Sequence, residues 1–305
     1  MNIAVIGAGA MGSLFGAYLS AGGNRVTLVD VWGEHVEAIN KNGLQVEESN
    51  GTRTFSVPAA TDPGTLGPQD LVVIFVKSYH TAGSLKNAAN LFSGNTAVLT
   101  LQNGLGNAEI IHAIAGDVTL IAGTTSHGAT VLGPGRIRHA GAGETVIGVI
   151  SGDSDRAAEI AAEFSRCGLE TRATEDIAGL LWGKLLVNVG INPLTALCGV
   201  TNGRLVEMES TLQLMKMLVD EGEAVARTIG ISLPYSDPFA KVKGVAVATG
   251  ANRSSMLQDV DRGRRTEIDF INGAIVREGK KVGVPTPCNE FVTLLVKALE
   301  EKTGI

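Results

Sequence analysis

Residues 7–12 constrain this chain more than any other segment. Gly7-Ala8-Gly9-Ala10-Met11-Gly12 directly follows the apolar run Ile3-Ala4-Val5-Ile6 and directly precedes the helical stretch Ser13 to Leu19. In a strand, turn and helix with this spacing the first glycine makes the tight turn. The second lets backbone approach a pyrophosphate, and the third lets the helix pack on the strand. The helix N-terminus then presents unpaired N–H groups and partial positive charge to a diphosphate. An acid completes the pattern: Asp30 ends the next apolar run, Val26-Thr27-Leu28-Val29. Its carboxylate can accept both ribose hydroxyls of an adenosine and repels a 2′-phosphate, so these residues favour NAD over NADP.

Around that loop the first half alternates short β-branched runs with helical stretches, the signature of a parallel sheet covered on both faces. Strands are expected over residues 2–6, 25–29, 70–76, 97–101 and 118–122, with helices over 10–21, 35–42, 81–91 and 107–114. From Gly128 to Ile150 the pattern shifts to β-rich runs split by Gly133-Pro134-Gly135. These predict antiparallel strands added to the same sheet, followed by a helix over 155–166 and a last strand over 170–173. After Thr174 strand signals nearly vanish. Periodic apolar faces then predict helices over 177–192, 212–229, 239–249, 268–282 and 291–300. The expected architecture is an α/β Rossmann-type domain over residues 1–174 and an all-α substrate and catalytic domain over 175–305.

Composition narrows the function. The net charge is −6 and no long block of like charge occurs, which argues against nucleic-acid or membrane-surface partners and for a small solute. Glycine is abundant, at 39 of 305 residues, but proline is scarce, and no Gly-X-Y period runs through the chain, so fibre and disorder are excluded. Residues 3–23 resemble the apolar core of a signal peptide but lack a preceding basic region. No later run reaches the roughly 18 uncharged apolar residues of a spanning helix, and a cytoplasmic protein is expected. Cys167, Cys198 and Cys288 fit neither a disulfide framework nor a Cys-x-x-Cys site, and read as buried reduced thiols. His112, His127 and His139 show no ligand spacing, and no metal site is expected. Oligomeric state is not legible, and a homodimer is compatible with the sequence.

The second half carries a different signal. Lys184, Asn188 and Asn192 stand at i, i+4 and i+8 on a helix that is otherwise almost wholly apolar, so they form one polar stripe. A solvated face would carry several charges. A single lysine flanked by amides instead suits a desolvated proton donor beside a polar substrate. Pro193 requires a kink or an end to this helix near Leu186 to Asn192. A second polar cluster runs from Asn252 to Asp259, and a third contains Thr266-Glu267-Ile268-Asp269, in which Glu267 can be read simply as a first-turn helix acid. Arg262, Arg264 and Arg265 are interleaved with acids and read as a solvated face.

Taken together, the early glycine motif, Gln102-Asn103-Gly104, Trp182-x-Lys184-Leu185-x-x-Asn188-x-x-x-Asn192-Pro193-Leu194-Thr195-Ala196, Ser254-Ser255-Met256-x-x-Asp259 and Thr266-Glu267-Ile268-Asp269-x-Ile271-Asn272-Gly273 resemble the ketopantoate reductase (2-dehydropantoate 2-reductase) family along nearly the whole chain. The resemblance implies a helical second domain like that of 6-phosphogluconate dehydrogenase. It also implies NAD(P)H-dependent reduction of an α-keto acid, 2-dehydropantoate, to pantoate in pantothenate and coenzyme A biosynthesis. Position by position, it makes Lys184 and Glu267 catalytic and Asn188, Asn192, Asn202 and Ser255 substrate contacts. Lys77, Asn103, Ala129 and Glu267 become cofactor contacts beside Gly7, Ala8, Gly9, Ala10, Met11, Gly12 and Asp30, which the loop and the strand after it already mark. The family's usual NADP calls for a basic residue after the second strand, whereas this chain has Asp30-Val31-Trp32. The alternatives are a related reductase of another α-keto or β-hydroxy acid, or a non-catalytic dinucleotide sensor that would leave the Lys184 constellation without purpose.

Overall fold

The computed structural model describes residues 1–304. Ile305, the last residue of the expected second domain, lies outside them. The chain divides into two compact units, residues 1–102 with 107–177, and residues 103–106 with 178–305.

The first unit holds twelve strands: β1 (Asn2–Ile6), β2 (Arg25–Val29), β3 (Leu44–Glu48), β4 (Gly51–Phe55), β5 (Ala59–Ala60), β6 (Leu71–Ile74), β7 (Ala97–Thr100), β8 (Thr119–Thr125), β9 (Gly128–Gly133), β10 (Arg136–Gly141), β11 (Thr145–Ser151) and β12 (Thr171–Ala173). Eight of them form one sheet in the order β12-β11-β8-β7-β6-β1-β2-β5. Its pairs are parallel except for β11 against β8. The central strands β6 and β7 are buried at every residue, because a parallel strand covered on both faces reads as a continuous apolar run. The strand order reverses at β1, and the glycine loop follows that strand, where dinucleotides bind in open α/β sheets.

Five helices cover the sheet: α1 (Ala10–Ala21), α2 (Gly33–Asn42), α3 (Thr81–Asn87), α4 (Asn107–Ala115) and α5 (Arg156–Arg166). α5 buries Ala157, Ile160, Ala161 and Phe164 at the i, i+3, i+4, i+7 spacing of a single-faced helix. α1 differs, burying Gly12 through Ala17 without a break together with Leu19. One side of it lies on the main sheet. The other is covered by a separate four-stranded sheet, β4-β3-β10-β9, whose Val46, Phe55 and Ile137 share a core cluster with Leu14, Phe15 and Leu19. Here the sequence expectation is corrected. The runs on either side of Gly133-Pro134-Gly135 do not extend the main sheet; they pair with the hairpin β3–β4, which local pattern did not reveal. Only β11 joins the main sheet antiparallel.

The second unit contains α6 (Ile177–Cys198, its first residue grouped with the first unit), α7 (Arg204–Glu207), α8 (Glu209–Thr228), α9 (Pro238–Ala248), α10 (Ser255–Asp261), α11 (Asn272–Val282) and α12 (Pro287–Thr303). Its core joins Leu185, Leu186 and Val189 of α6 to Met215, Leu218 and Val219 of α8, Ile275 of α11 and Val296 of α12. Among the described residues α6 alone is long and apolar enough to cross a membrane, but 67% of that window is buried within the protein, as in a core helix.

Three further expectations are corrected. Of the kink or end expected near Pro193, the end does not occur: α6 continues to Cys198. Proline removes the N–H that would have bonded to Val189 O, and the Asn272 side-chain amide donates to that carbonyl instead, at 3.3 Å. The helix expected over 268–282 is split into a 3₁₀ turn, Ile268–Phe270, and α11. The thiols are not buried: Cys198 is exposed, and Cys167 and Cys288 are half-buried.

Candidate active site

In the first unit the glycine loop has the geometry a diphosphate needs. Gly7 takes φ +97°, a conformation L side chains avoid, and a Cβ there would lie 2.5 Å from Val76 N. A Cβ on Gly12 would lie 1.9 Å from Gly7 O and 3.2 Å from Val5 Cγ1, so helix and strand meet at this position. Gly9 is the opposite case. It is exposed, and nothing lies within 4 Å of the place its Cβ would occupy. Space is therefore held open against the backbone at the N-terminus of α1, and the residues present fit a dinucleotide.

Asp30 is engaged rather than merely solvated. Its Oδ2 accepts from Ala8 N–H at 2.7 Å and its Oδ1 from Trp32 N–H at 2.9 Å. Lys77, half-buried, precedes the 3₁₀ turn Ser78–His80 at the end of the β6 segment. Gln102 pins that turn, its amide donating to Val76 O at 2.6 Å and to Thr81 Oγ1 at 2.8 Å. Ala129 lies on β9, opposite His139 of β10. The hairpin also places His127 Nδ1 3.1 Å from His139 Nε2, a pairing that sequence spacing had not suggested. Burial first and the His139 charge second hold His127 below its usual pKa. No group of three or more His, Cys, Asp or Glu among the described residues is placed to hold a metal ion.

The second unit gathers the other candidates. Lys184 and Asn188 are half-buried on α6, and Asn192 is buried. Burial pulls the Lys184 ammonium down from 10.5 to about 8, while the charge of Glu267 opposes the fall. Glu267 itself is only 6% exposed and precedes the 3₁₀ turn Ile268–Phe270, so it is not the solvated first-turn acid that the pattern alone allowed. Tyr235 donates to Gly183 O at 2.6 Å, and burial raises its pKa to about 12, so the hydroxyl keeps its proton beside the lysine's segment of α6.

Ser254 and Ser255 have separate tasks. Ser254 Oγ caps α10 by accepting from Leu257 N–H, and it also accepts from Thr195 Oγ1 at 2.7 Å, tying α10 to α6. Ser255 Oγ is thereby brought to Asn192 Nδ2, at 3.3 Å. Asn202 donates to Thr249 Oγ1, and its buried Oδ1 has no hydrogen-bond partner, an uncommon state for a buried acceptor. Asn103 belongs to this unit. Leu105 N–H donates to Phe270 O at 2.9 Å, and Gly104, at φ +83°, fits where a Cβ would lie 2.2 Å from that oxygen. The Asn103 segment is thus held against the turn that follows Glu267.

Sequence reasoning missed His35 and Tyr235 altogether and gave Asn272 no separate role. Asn272 is fully buried and joins Val189 O to Asn289 Oδ1, which makes it a support of α6. Pro193, directly after the last asparagine of the polar stripe, was the only signal pointing to such a partner.

Comparison with known proteins identifies the family. Residues 3–152 match the family model for ketopantoate reductase PanE/ApbA, and residues 176–300 match its C-terminal counterpart. A 2-dehydropantoate 2-reductase of Halobacterium salinarum is 41% identical over 306 residues, covering 100% of each chain. The crystal structure of a PanE/ApbA family ketopantoate reductase from Ralstonia eutropha superposes with a TM-score of 0.93 at 34% identity, covering 100% of both chains. A D-mandelate dehydrogenase solved with NADH and anilino(oxo)acetate superposes equally well, at a TM-score of 0.93 and 32% identity over 100% of both chains.

Proposed function

Since the chain belongs to the ketopantoate reductase family, we propose that it reduces 2-dehydropantoate to pantoate in pantothenate biosynthesis, using a nicotinamide dinucleotide. The observation that carries this reading is Lys184, a lysine on an apolar helix whose pKa is drawn down to about 8. The bound dinucleotide supplies the hydride that reaches the ketone carbon. The chain's task is then to stabilise the negative charge growing on the ketone oxygen and to supply a proton there. The Lys184 ammonium does both, and a pKa near the working pH suits a proton donor. Glu267 keeps that ammonium charged against the cost of burial. Asn188, Asn192, Asn202 and Ser255 bind the substrate carboxylate and hydroxyl through neutral hydrogen bonds, which hold an anion without neutralising the lysine.

For the nucleotide, Asp30 supports NADH. Its oxygens each hold one backbone N–H and retain lone pairs for two ribose hydroxyls, while its charge opposes a 2′-phosphate. A second reading has specific support. The equal structural likeness to a D-mandelate dehydrogenase bound to NADH admits another 2-keto acid as the preferred substrate. One assay tests both readings: oxidation of NADH and of NADPH followed with 2-dehydropantoate, pyruvate, 2-oxoisovalerate and phenylglyoxylate. The proposal expects the highest kcat/KM with 2-dehydropantoate and NADH. A preference for another keto acid overturns the substrate, and a preference for NADPH overturns the role given to Asp30.

A further inference from the structure

Asp30 holds the N–H of Ala8; the carbonyl of Ala8 is held by a different set of residues. Ser13, fully buried on α1, donates its hydroxyl to Ala8 O at 2.7 Å. The Nε2 of His35, also fully buried, lies 3.3 Å from the same Ser13 oxygen. On its other side the imidazole meets Gly135, in the turn between β9 and β10, whose N–H donates to His35 Nδ1 at 3.0 Å. That contact settles the tautomer. Nδ1 must be the acceptor, so the ring proton sits on Nε2 and is given to Ser13, and the serine's own proton goes to Ala8 O. The ring is further fixed by Trp32, stacked on it at 4.9 Å between centroids and 10° between planes.

From this we infer that Ser13 and His35 are positioning residues for the dinucleotide, acting through the peptide that joins Ala8 to Gly9. A trans peptide is planar, so its C=O and N–H point in opposite directions. With Ala8 O drawn toward Ser13, the Gly9 N–H is turned the other way, at the glycine whose surroundings are open. The relay thus aims a backbone donor for the diphosphate and ties it to the β9–β10 turn of the second sheet. The inference rests on the dinucleotide reading above and adds two residues outside the glycine motif.

The test is calorimetric titration of NADH into the full chain, paired with steady-state kinetics. Ser13→Ala exchanges a hydroxyl for a hydrogen within a helix and removes the donor to Ala8 O. It should raise the dissociation constant about tenfold, with kcat at saturating dinucleotide unchanged, as expected for uniform binding. Two histidine variants separate aiming of the loop from support of the turn. His35→Asn places an acceptor where Nδ1 was, keeps the Gly135 contact and loses Ser13; it should bind as weakly as Ser13→Ala. His35→Gln places a donor where Nε2 was, keeps Ser13 and loses Gly135; it should bind within about twofold of the wild type. If Ser13→Ala binds like the wild type, or if the order of the two histidine variants is reversed, the inference is overturned. If the wild-type chain binds neither NADH nor NADPH, the cofactor reading itself fails.

Discussion

The proton-donor assignment predicts a specific pH profile. The drop of the Lys184 pKa from 10.5 to about 8, at about 1.4 kcal/mol per pH unit, means that burial and Glu267 together favour the neutral amine by about 3 kcal/mol. Reduction requires the ammonium, so kcat/KM for the keto acid should be flat below this pKa and fall tenfold per pH unit above it. At pH 9 it should stand at about a tenth of the plateau, whereas an ordinary lysine would leave about 97%. Oxidation of the hydroxy acid needs the neutral amine and should rise through the same midpoint. The structure also fixes the direction of a second shift. Glu267 raises the Lys184 pKa, so Glu267→Gln should move the falling limb below pH 8, and activity at pH 7.5 should drop even where the substrate is saturating. The measurement is kcat/KM in both directions from pH 6 to 10, for the wild type and Glu267→Gln. A wild-type profile flat to pH 10, or a limb that Glu267→Gln leaves in place, would refute the argument.

Four further outcomes follow from the geometry. Gly9→Ala should leave thermal stability intact, since its Cβ enters open space, yet weaken NADH binding at least tenfold in titration. Gly12→Ala should destabilise the fold, because its Cβ would lie 1.9 Å from Gly7 O. Asn272→Ala strips the donor from Val189 O and the partner from Asn289, and urea unfolding should report a loss of about 2 to 3 kcal/mol. Asp30→Asn removes the charge and leaves one oxygen where two carboxylate oxygens held the Ala8 and Trp32 N–H groups, a loss of loop support common to both nucleotides. The ratio of kcat/KM for NADH over NADPH should fall, because only NADPH gains from removal of the charge; an unchanged ratio would show that Asp30 only braces the loop.

Parts of this site are visible in local sequence because their causes are local. A glycine at φ +97° between an apolar strand and a helix needs no distant partner to be recognised, and three polar residues at four-residue spacing share a helix face wherever the helix lies. Glu267 shows the limit. Its position before an apolar run allowed a solvated helix acid, and only tertiary packing buries it and brings its charge to bear on Lys184. Pro193 is a similar case, since chain-local rules allow a kink or an end, and a side chain 79 residues further on supplies the missing donor.

By itself the sequence determined the dinucleotide loop, the alternation that makes a parallel sheet, the switch to helices and the single lysine in an apolar stripe. Tertiary structure decided what covers α1, which tautomer His35 adopts and how far the Lys184 pKa falls. The reason is common to all three. Helix and strand periods, turns and caps are set by neighbours within a few residues, whereas desolvation and hydrogen-bond partnership depend on what arrives from elsewhere in the chain. The register of β10 on β3, about ninety residues apart, carries the Gly135 turn to His35, and no local pattern records it.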